Sequence, residues 1–355
     1  MNQTRRTLIA QIGTAIASSA MAMGAEPRRL KTVDKIRIGQ IGVGHGHANK
    51  LSVYRDSADY EVVGIVESDP VARDAARSNK AFQDVPWMTQ EQLFNVPGLQ
   101  AVLVETEVRD SLDVAHACID AGMHVHLDKP AGESLPRFQE LIRKAEASRL
   151  LIQMGYMYRY NPAIHLLREL LKHGYLGDIF EIHAVMSKVL PASDRIERAK
   201  YRGGMMFELG CHLIDLLVGL MGNPDRVHPF SQPTKALGDT LNDNMLAVFT
   251  YPHAIASVKS SAVEVEGFNR RHLVVCGSEG TIHIQPLDNP TATLTLSKAR
   301  GNYRSGMQEV QFPKYVRYVD DAADMASILR GEKESDYSYT HDSHVQQSVL
   351  KASGH

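Results

Sequence analysis

Twelve residues constrain this chain more than any others: Lys35 to Gly46, Lys-Ile-Arg-Ile-Gly-Gln-Ile-Gly-Val-Gly-His-Gly. Apolar side chains at Ile36, Ile38 and Ile41 run into Gly42, Gly44 and Gly46, the pattern of a buried strand entering a glycine turn. Such a turn lets the main chain approach a pyrophosphate closely and hands it to the positive end of the next helix. The dinucleotide fingerprint places a third small residue where this chain has His47. Taken alone, the stretch fits two readings. One is a nucleotide cradle built from Gly42, Gly44, His45, Gly46 and His47; the other is an ordinary strand-to-helix turn.

The residues that follow favour a nucleotide fold. Strands are expected at Tyr60 to Val66, Ala101 to Val104, His124 to Leu127 and Leu150 to Met154, with helical periods between them. The clearest helix is Ser111 to Ala121, apolar at Leu112, Ala115, Cys118 and Ile119 and closed by Gly122. Strands alternating with helices argue a parallel sheet with helices on its faces. The pattern then changes. Helices are expected at Asn161 to His173 and Met205 to Met221, and a long strand at Phe180 to Val189. From Met245 to Leu296 the reading is hairpins, and a late helix at Val316 to Leu329 precedes a tail of uncertain structure. The expected fold is α/β: a Rossmann-type parallel sheet over 35–155, then an α+β domain with a mostly antiparallel open sheet over 156–355.

A chain of 355 residues, 43% hydrophobic and 23% charged, can bury a sizeable core as about two domains. A net charge of -2 leaves no electrostatic footprint for nucleic acid or an anionic membrane. Residues 1–25 read as an export signal. Arg5-Arg6 precedes a mildly apolar run and small residues at Ala20, Ala22 and Gly24, and Thr4-Arg5-Arg6-Thr7-Leu8 resembles a twin-arginine signal. A periplasmic location is therefore expected. Cys118, Cys211 and Cys276 have neither disulfide-framework nor metal-site spacing.

Three places carry candidate chemistry. Glu67 ends the second strand, 25 residues after Gly42, where a carboxylate can bind an adenosine ribose and favour NAD. Arg73 and Arg77 lie close enough to keep NADP possible. Asp128-Lys129-Pro130 follows a strand whose carboxyl end should face the same crevice, with Lys129 offering a charge and donors to a hydroxyl. A cis Lys129–Pro130 bond is plausible there, although an isolated tripeptide of this kind also fits a surface turn.

In this order, with Arg159-Tyr160-Asn161-Pro162 and Gly174-Tyr175-Leu176-Gly177 following, the chain resembles the Gfo/Idh/MocA oxidoreductases, which include glucose–fructose oxidoreductase and inositol dehydrogenase. Gly203-Gly204-Met205-Met206-Phe207-Glu208-Leu209-Gly210-Cys211-His212-Leu213-Ile214-Asp215 resembles the family's Gly-Gly…Asp-x-x-x-His-x-x-Asp helix, and Val275 to Thr281 its Gly-x-x-Gly hairpin. The likeness spans about residues 35 to 330. It implies NAD or NADP between the domains, Lys129 contacting substrate and cofactor, His212 as catalytic histidine and Glu208 in place of the usual Asp. Thr106 and Asp128 join the expected cofactor contacts, and Arg159, Asn161 and Asp215 the substrate contacts, with Asp215 also readable as a structural acid. Three departures stand out: His47 for the third glycine, Thr106-Glu107 for Thr-Pro, and Ser111 for a frequent His.

The residues give this helix a chemistry of their own. At i, i+4 and i+7, Glu208, His212 and Asp215 would share one helix face, and a near-neutral imidazole suits taking a proton from an alcohol. A metal there would lack a second His or a Cys pair. The expected function is hydride transfer between NAD(P) and a hydroxyl of a sugar, sugar acid or cyclitol. A redox-assisted glycoside hydrolase or lyase with tightly bound NAD, and a non-catalytic sugar or nucleotide binder, use the same parts. No metal is expected. By the resemblance, a homo-oligomer should form through the open sheet.

Overall fold

The computed structural model describes residues 34–234 and 238–355; the expected export signal lies outside the described residues. β1 (Ile36–Ile41) is buried along nearly its whole length, as a strand covered on both faces must be. It is followed by a short 3-10 turn, Ala48–Lys50, α1 (Leu51–Asp56), β2 (Tyr60–Val66), α2 (Pro70–Ala76) and α3 (Gln90–Phe94). β3 (Leu99–Val104), α4 (Val108–Asp120), β4 (His124–Leu127), α5 (Leu135–Ala147) and β5 (Ile152–Met154) complete a five-stranded parallel sheet in the order β2-β1-β3-β4-β5. The chain reverses its direction of winding between β1 and β3, and ligands of such sheets bind in the crevice outside the strand ends at that point.

After a 3-10 turn, Met157–Tyr160, come α6 (Pro162–Lys172), β6 (Ile179–Val185), α7 (Ala192–Ala199), a π-helical segment, Met206–Gly210, and α8 (Cys211–Met221). Strands β7 (Arg226–Ser231), β8 (Asn244–Thr250), β9 (Ile255–Ser261), β10 (His272–Gly277), β11 (Gly280–Ile284), β12 (Thr291–Leu296) and β13 (Gly306–Gln311) follow, then α9 (Val319–Leu329) and α10 (Tyr339–Ala352). The second sheet has eight strands in the order β13-β12-β11-β10-β6-β9-β8-β7. All its pairs are antiparallel except β6 with β9. The expected fold class is present, and the structure adds α7, β7, β13 and α10 to the elements foreseen.

The last two helices reach back to the parallel sheet's side of the chain. α9 lays Ala322, Met325 and Ala326 on Ile36, Ile38, Leu51 and Leu103 of the parallel sheet's side, and Tyr60 donates its hydroxyl to the Ala322 carbonyl at 2.7 Å. α10 buries Val345, Val349 and Leu350 in the large core shared with α4, α5 and α8. Lys35–His355 is accordingly one compact unit.

Candidate active site

The glycine turn leaves β1 at the crevice. Gly42 has φ +93°, and a Cβ there would lie 2.6 Å from the Glu105 carbonyl at the end of β3, so only glycine fits. Gly44 and Gly46 face open space, and their amides take no partner among the described residues. Beside them lies a cavity of about 970 Å³ lined by Gly42, Gly44, Glu67, Arg73, Thr106 and Glu107. Its size, the free amides and its place at the strand ends fit a dinucleotide. Glu67 accepts from the Val43 amide at 3.0 Å and the Asp69 amide at 2.9 Å, so the strand-end acid also braces the turn. Thr106 donates to the Glu107 carbonyl at 3.2 Å on the cavity wall.

Beneath the turn is a buried charged cluster. The Lys50 ammonium sits 2.8 Å from Asp128 and 3.0 Å from Glu105, and 3.0 Å from the His126 ring. Asp128 also meets His45 at 3.1 Å and His47 at 3.2 Å. Burial pulls the His45 imidazole down, but the Asp128 charge and hydrogen bonds to Asp128 and Glu105 carry it up to about 9. For His47 burial prevails, and its pKa falls to about 4. Burial lifts Glu105 to about 7, helped by Asp128, while the surrounding cations hold Asp128 well below the usual carboxylate range in spite of burial. His45, His47 and Asp128 bring potential ligand atoms within 4.8 Å of one another. A cation placed among them would meet the Lys50 ammonium already seated on Asp128.

His47 explains the missing third glycine. Its ring turns inward toward Asp128, where a glycine would offer no side chain, and the helix behind it starts as a 3-10 turn. The Ala48 and Lys50 amides are taken by the His45 and His47 carbonyls. The free amides therefore lie in the turn itself, and the short helix behind it offers less of the dipole the sequence suggested.

Lys129 follows with a cis bond to Pro130. Its buried ammonium donates to the Glu208 carbonyl at 2.8 Å and lies 3.6 Å from the Glu208 carboxylate. Burial raises the Glu208 pKa, yet the Lys129 and Arg198 charges bring it down to about 2. His212 is 1% exposed, and neither ring nitrogen has a hydrogen-bond partner. Rings of His47 and Tyr158 lie 5.9 Å from it and that of Tyr156 6.0 Å, centroid to centroid. Burial, then the Lys129 and His47 charges, hold its pKa well below the ordinary value, so the imidazole is neutral. An unsatisfied buried polar group of this kind calls for an explanation.

The single helix face expected for Glu208, His212 and Asp215 is not what the chain forms. The π-helical turn at Met206–Gly210 shifts the register, and each side chain meets different partners. Asp215 accepts from Arg159 at 2.7 Å and lies 3.2 Å from His341, while Arg159 also reaches Asp342 at 2.5 Å. Asn161 caps α6 through the Ala163 amide at 2.9 Å and donates to the Leu287 carbonyl at 2.7 Å. Arg159, Asn161 and Asp215, expected to contact substrate, have their polar atoms committed to one another and to the fold.

Several site residues escaped the sequence reading. Lys50 and Glu105 are buried charges at the turn and at the end of an apolar strand; the acid closing Ala101 to Val104 was the available signal. Tyr318 has φ +71°, an uncommon conformation for a bulky residue, and its ring lies 5.1 Å from the Lys50 ammonium and 5.7 Å from the His47 ring. Nothing local in the sequence marks it.

Comparisons with known proteins identify the family and the fold. Residues 36–156 match the model of an oxidoreductase family with an NAD-binding Rossmann fold, and residues 164–283 match the Gfo/Idh/MocA C-terminal domain. Mouse trans-1,2-dihydrobenzene-1,2-diol dehydrogenase is 23% identical over 242 residues, 66% of this chain and 69% of that protein. Myo-inositol 2-dehydrogenase of Thermotoga maritima is 22% identical over 270 residues, 73% of this chain and 78% of that protein. The fold is similar to that of an Agrobacterium radiobacter oxidoreductase solved with NAD+, L-tartaric acid and magnesium, with TM-score 0.76, 15% identity, and 90% and 97% of the two chains covered. With the parallel sheet and the region after it each matched by its own model in chain order, this protein belongs to the Gfo/Idh/MocA family of NAD-binding oxidoreductases.

Proposed function

We propose that this protein oxidises or reduces a hydroxyl-bearing carbon of a sugar, sugar acid or cyclitol, with His212 as the proton-transfer group. The observation that carries the reading is the His212 imidazole: buried, neutral, unpartnered, and bordered by Lys129. Bound nicotinamide would supply the acceptor or donor of the hydride. In the oxidative direction His212 takes the hydroxyl proton at a ring nitrogen, the carbon gives up its hydride, and the alcohol becomes a carbonyl. Lys129, held by Glu208, offers positive charge to the oxygen as it loses that proton. The inositol and dihydrodiol dehydrogenases among its relatives support substrates of this kind.

Glu67 favours NAD, and Arg73 and Arg77 on the same cavity wall keep NADP within reach. We further propose a nucleotide-binding region over 35–155 and a substrate region over 156–355. Exposed Phe180, Phe230, Ile255 and Met307 on the eight-stranded sheet support self-association, and Arg5-Arg6 supports twin-arginine export to the periplasm. The test is nucleotide extraction from the pure protein, followed by reduced-nicotinamide absorbance with a panel of polyols. His212→Ala and Lys129→Ala should each lower kcat at least about a hundredfold while leaving bound nucleotide in place. Full activity in both variants removes the assignment. Glycoside cleavage without net reduction would identify a redox-assisted hydrolase instead, and a protein that binds no nucleotide would be a binder.

A further inference from the structure

The wall of the site beyond Lys129 carries more positive charge than its own acids neutralise. Lys188 follows β6 and is pinned to β9 by its amide, which donates to the Ser261 carbonyl at 3.0 Å. Its half-buried ammonium has neither a hydrogen bond nor an ion pair among the described residues. Arg198, in the last turn of α7, places a guanidinium nitrogen 3.7 Å from Glu208, while its Nε is buried and unpartnered. Lys129 and Arg198 thus converge on one carboxylate, Glu208, whose charge is also felt by the unpaired Lys188. Next to them Arg271 and Arg317 share a second carboxylate, Asp288, which also accepts from the Tyr158 hydroxyl at 3.2 Å.

Tyr158, which donates to Asp288, has its ring 5.9 Å from that of His212, and Arg271 donates to the Ser187 carbonyl beside Lys188 at 3.5 Å, so this cationic wall stands next to the imidazole. Asp128 cannot serve it, being matched to Lys50 and His45. The wall is also separate from the nucleotide cavity, whose lining includes none of Lys188, Arg198, Arg271 and Arg317. Burial, and then the neighbouring cations, hold the Lys188 ammonium below its ordinary range against the pull of Glu208. Like charges crowded in a partly desolvated space repel, and an anion relieves that repulsion where a neutral hydroxyl does not.

We infer that the polyol accepted here carries an acid group, received by Lys188 and Arg198 while Lys129 and His212 address the reacting hydroxyl. This rests on the proposed oxidoreductase reading and names its substrate class: a sugar acid or a sugar phosphate. A charge-assisted hydrogen bond in such a place is worth about 1.5–3 kcal/mol, or roughly ten- to a hundredfold in affinity.

The test is calorimetric titration of the full chain, with NAD added, by D-gluconate, D-glucuronate, glucose 6-phosphate, D-glucose and myo-inositol. At least one anion should bind about tenfold or more tightly than the neutral compounds, and added salt should weaken it. Which anion binds best separates the carboxylate from the phosphate. Lys188→Ala, and independently Arg198→Gln, should collapse the preference for the anion over the neutral compounds, whereas Lys188→Arg should keep most of it. Anions binding no better than neutral polyols, or not at all, overturn the inference, as does an equal loss for both classes in the two variants. Turnover of neutral polyols without acid preference would overturn it and leave the oxidoreductase reading standing. Salt-sensitive anion binding without turnover of any polyol would overturn the oxidoreductase reading and with it the substrate named here, leaving an anion site alone.

Discussion

Gly42 and Gly44 stand two residues apart in one turn and are glycine for different reasons. Gly42 needs its positive φ and its close approach to the Glu105 carbonyl. Gly44 meets nothing where a Cβ would project, so its lack of a side chain matters only to what enters the cavity. Gly44→Val should therefore leave the unliganded protein's Tm within about 1 °C, a shift of under about 1 kcal/mol for a chain of this size. The same substitution should abolish the rise in Tm that NAD produces; a hundredfold excess over Kd corresponds to about 2.7 kcal/mol in the parent. A thermal-shift titration reads both, and an unchanged NAD response would remove Gly44 from the cradle. His47 was legible only as a departure. Which way its ring points is set by Asp128, 81 residues away, and no local pattern carries that.

At the scale of elements, the site hangs on a junction that secondary-structure periodicity could not reveal. A π-helical turn runs into α8 within one hydrophobic stretch, Met205 to Met221. Because nearly every residue of α8 is buried, the apolar pattern cannot report an added residue in the turn before it. α10 hid for the opposite reason. Its buried side includes Asp342, Gln346 and Ser348, so no clean apolar stripe marks it, although Ser338 does cap it through the His341 amide. Arg159 joins the two helices by holding Asp215 of α8 and Asp342 of α10. Arg159→Met would leave the buried Asp342 carboxylate unpaired and Asp215 with His341 alone, at a cost of about 3–5 kcal/mol. A fall in the urea midpoint with an unchanged m-value would show it; parent-like stability would mean that His341 alone satisfies Asp215.

Across the whole molecule, the buried histidines tie stability to pH in opposite directions. His45 titrates at about 9 in the folded chain against 6.5 in the unfolded one. Its contribution is therefore complete below about 6.5 and is lost as pH rises through 9. His47 at about 4 and His126 at about 3 behave the other way, since the unfolded chain takes up their protons first as pH falls below 6.5. Glu105, lifted to about 7, opposes that acid loss, because the folded chain keeps a proton the unfolded chain releases. His45→Gln should flatten the alkaline decline, and His126→Gln should lessen the acid one, in urea midpoints taken across a pH series. An alkaline slope unchanged in His45→Gln would place that titration elsewhere.

The division between what was legible and what was not follows the range of the forces involved. The sequence by itself determined the parallel sheet, the glycine turn and the antiparallel sheet that follows. Burial of strands, glycine backbone freedom and short motifs are local, and they leave local patterns. Only the tertiary structure decided that Arg159, Asn161 and Asp215 brace the fold, that α9 and α10 reach back across the chain, and that Lys50, His45 and His47 gather on Asp128. Buried charges choose partners through space, because leaving the aqueous solvent makes an unpaired charge too costly, and the partner that satisfies it can come from anywhere in the chain.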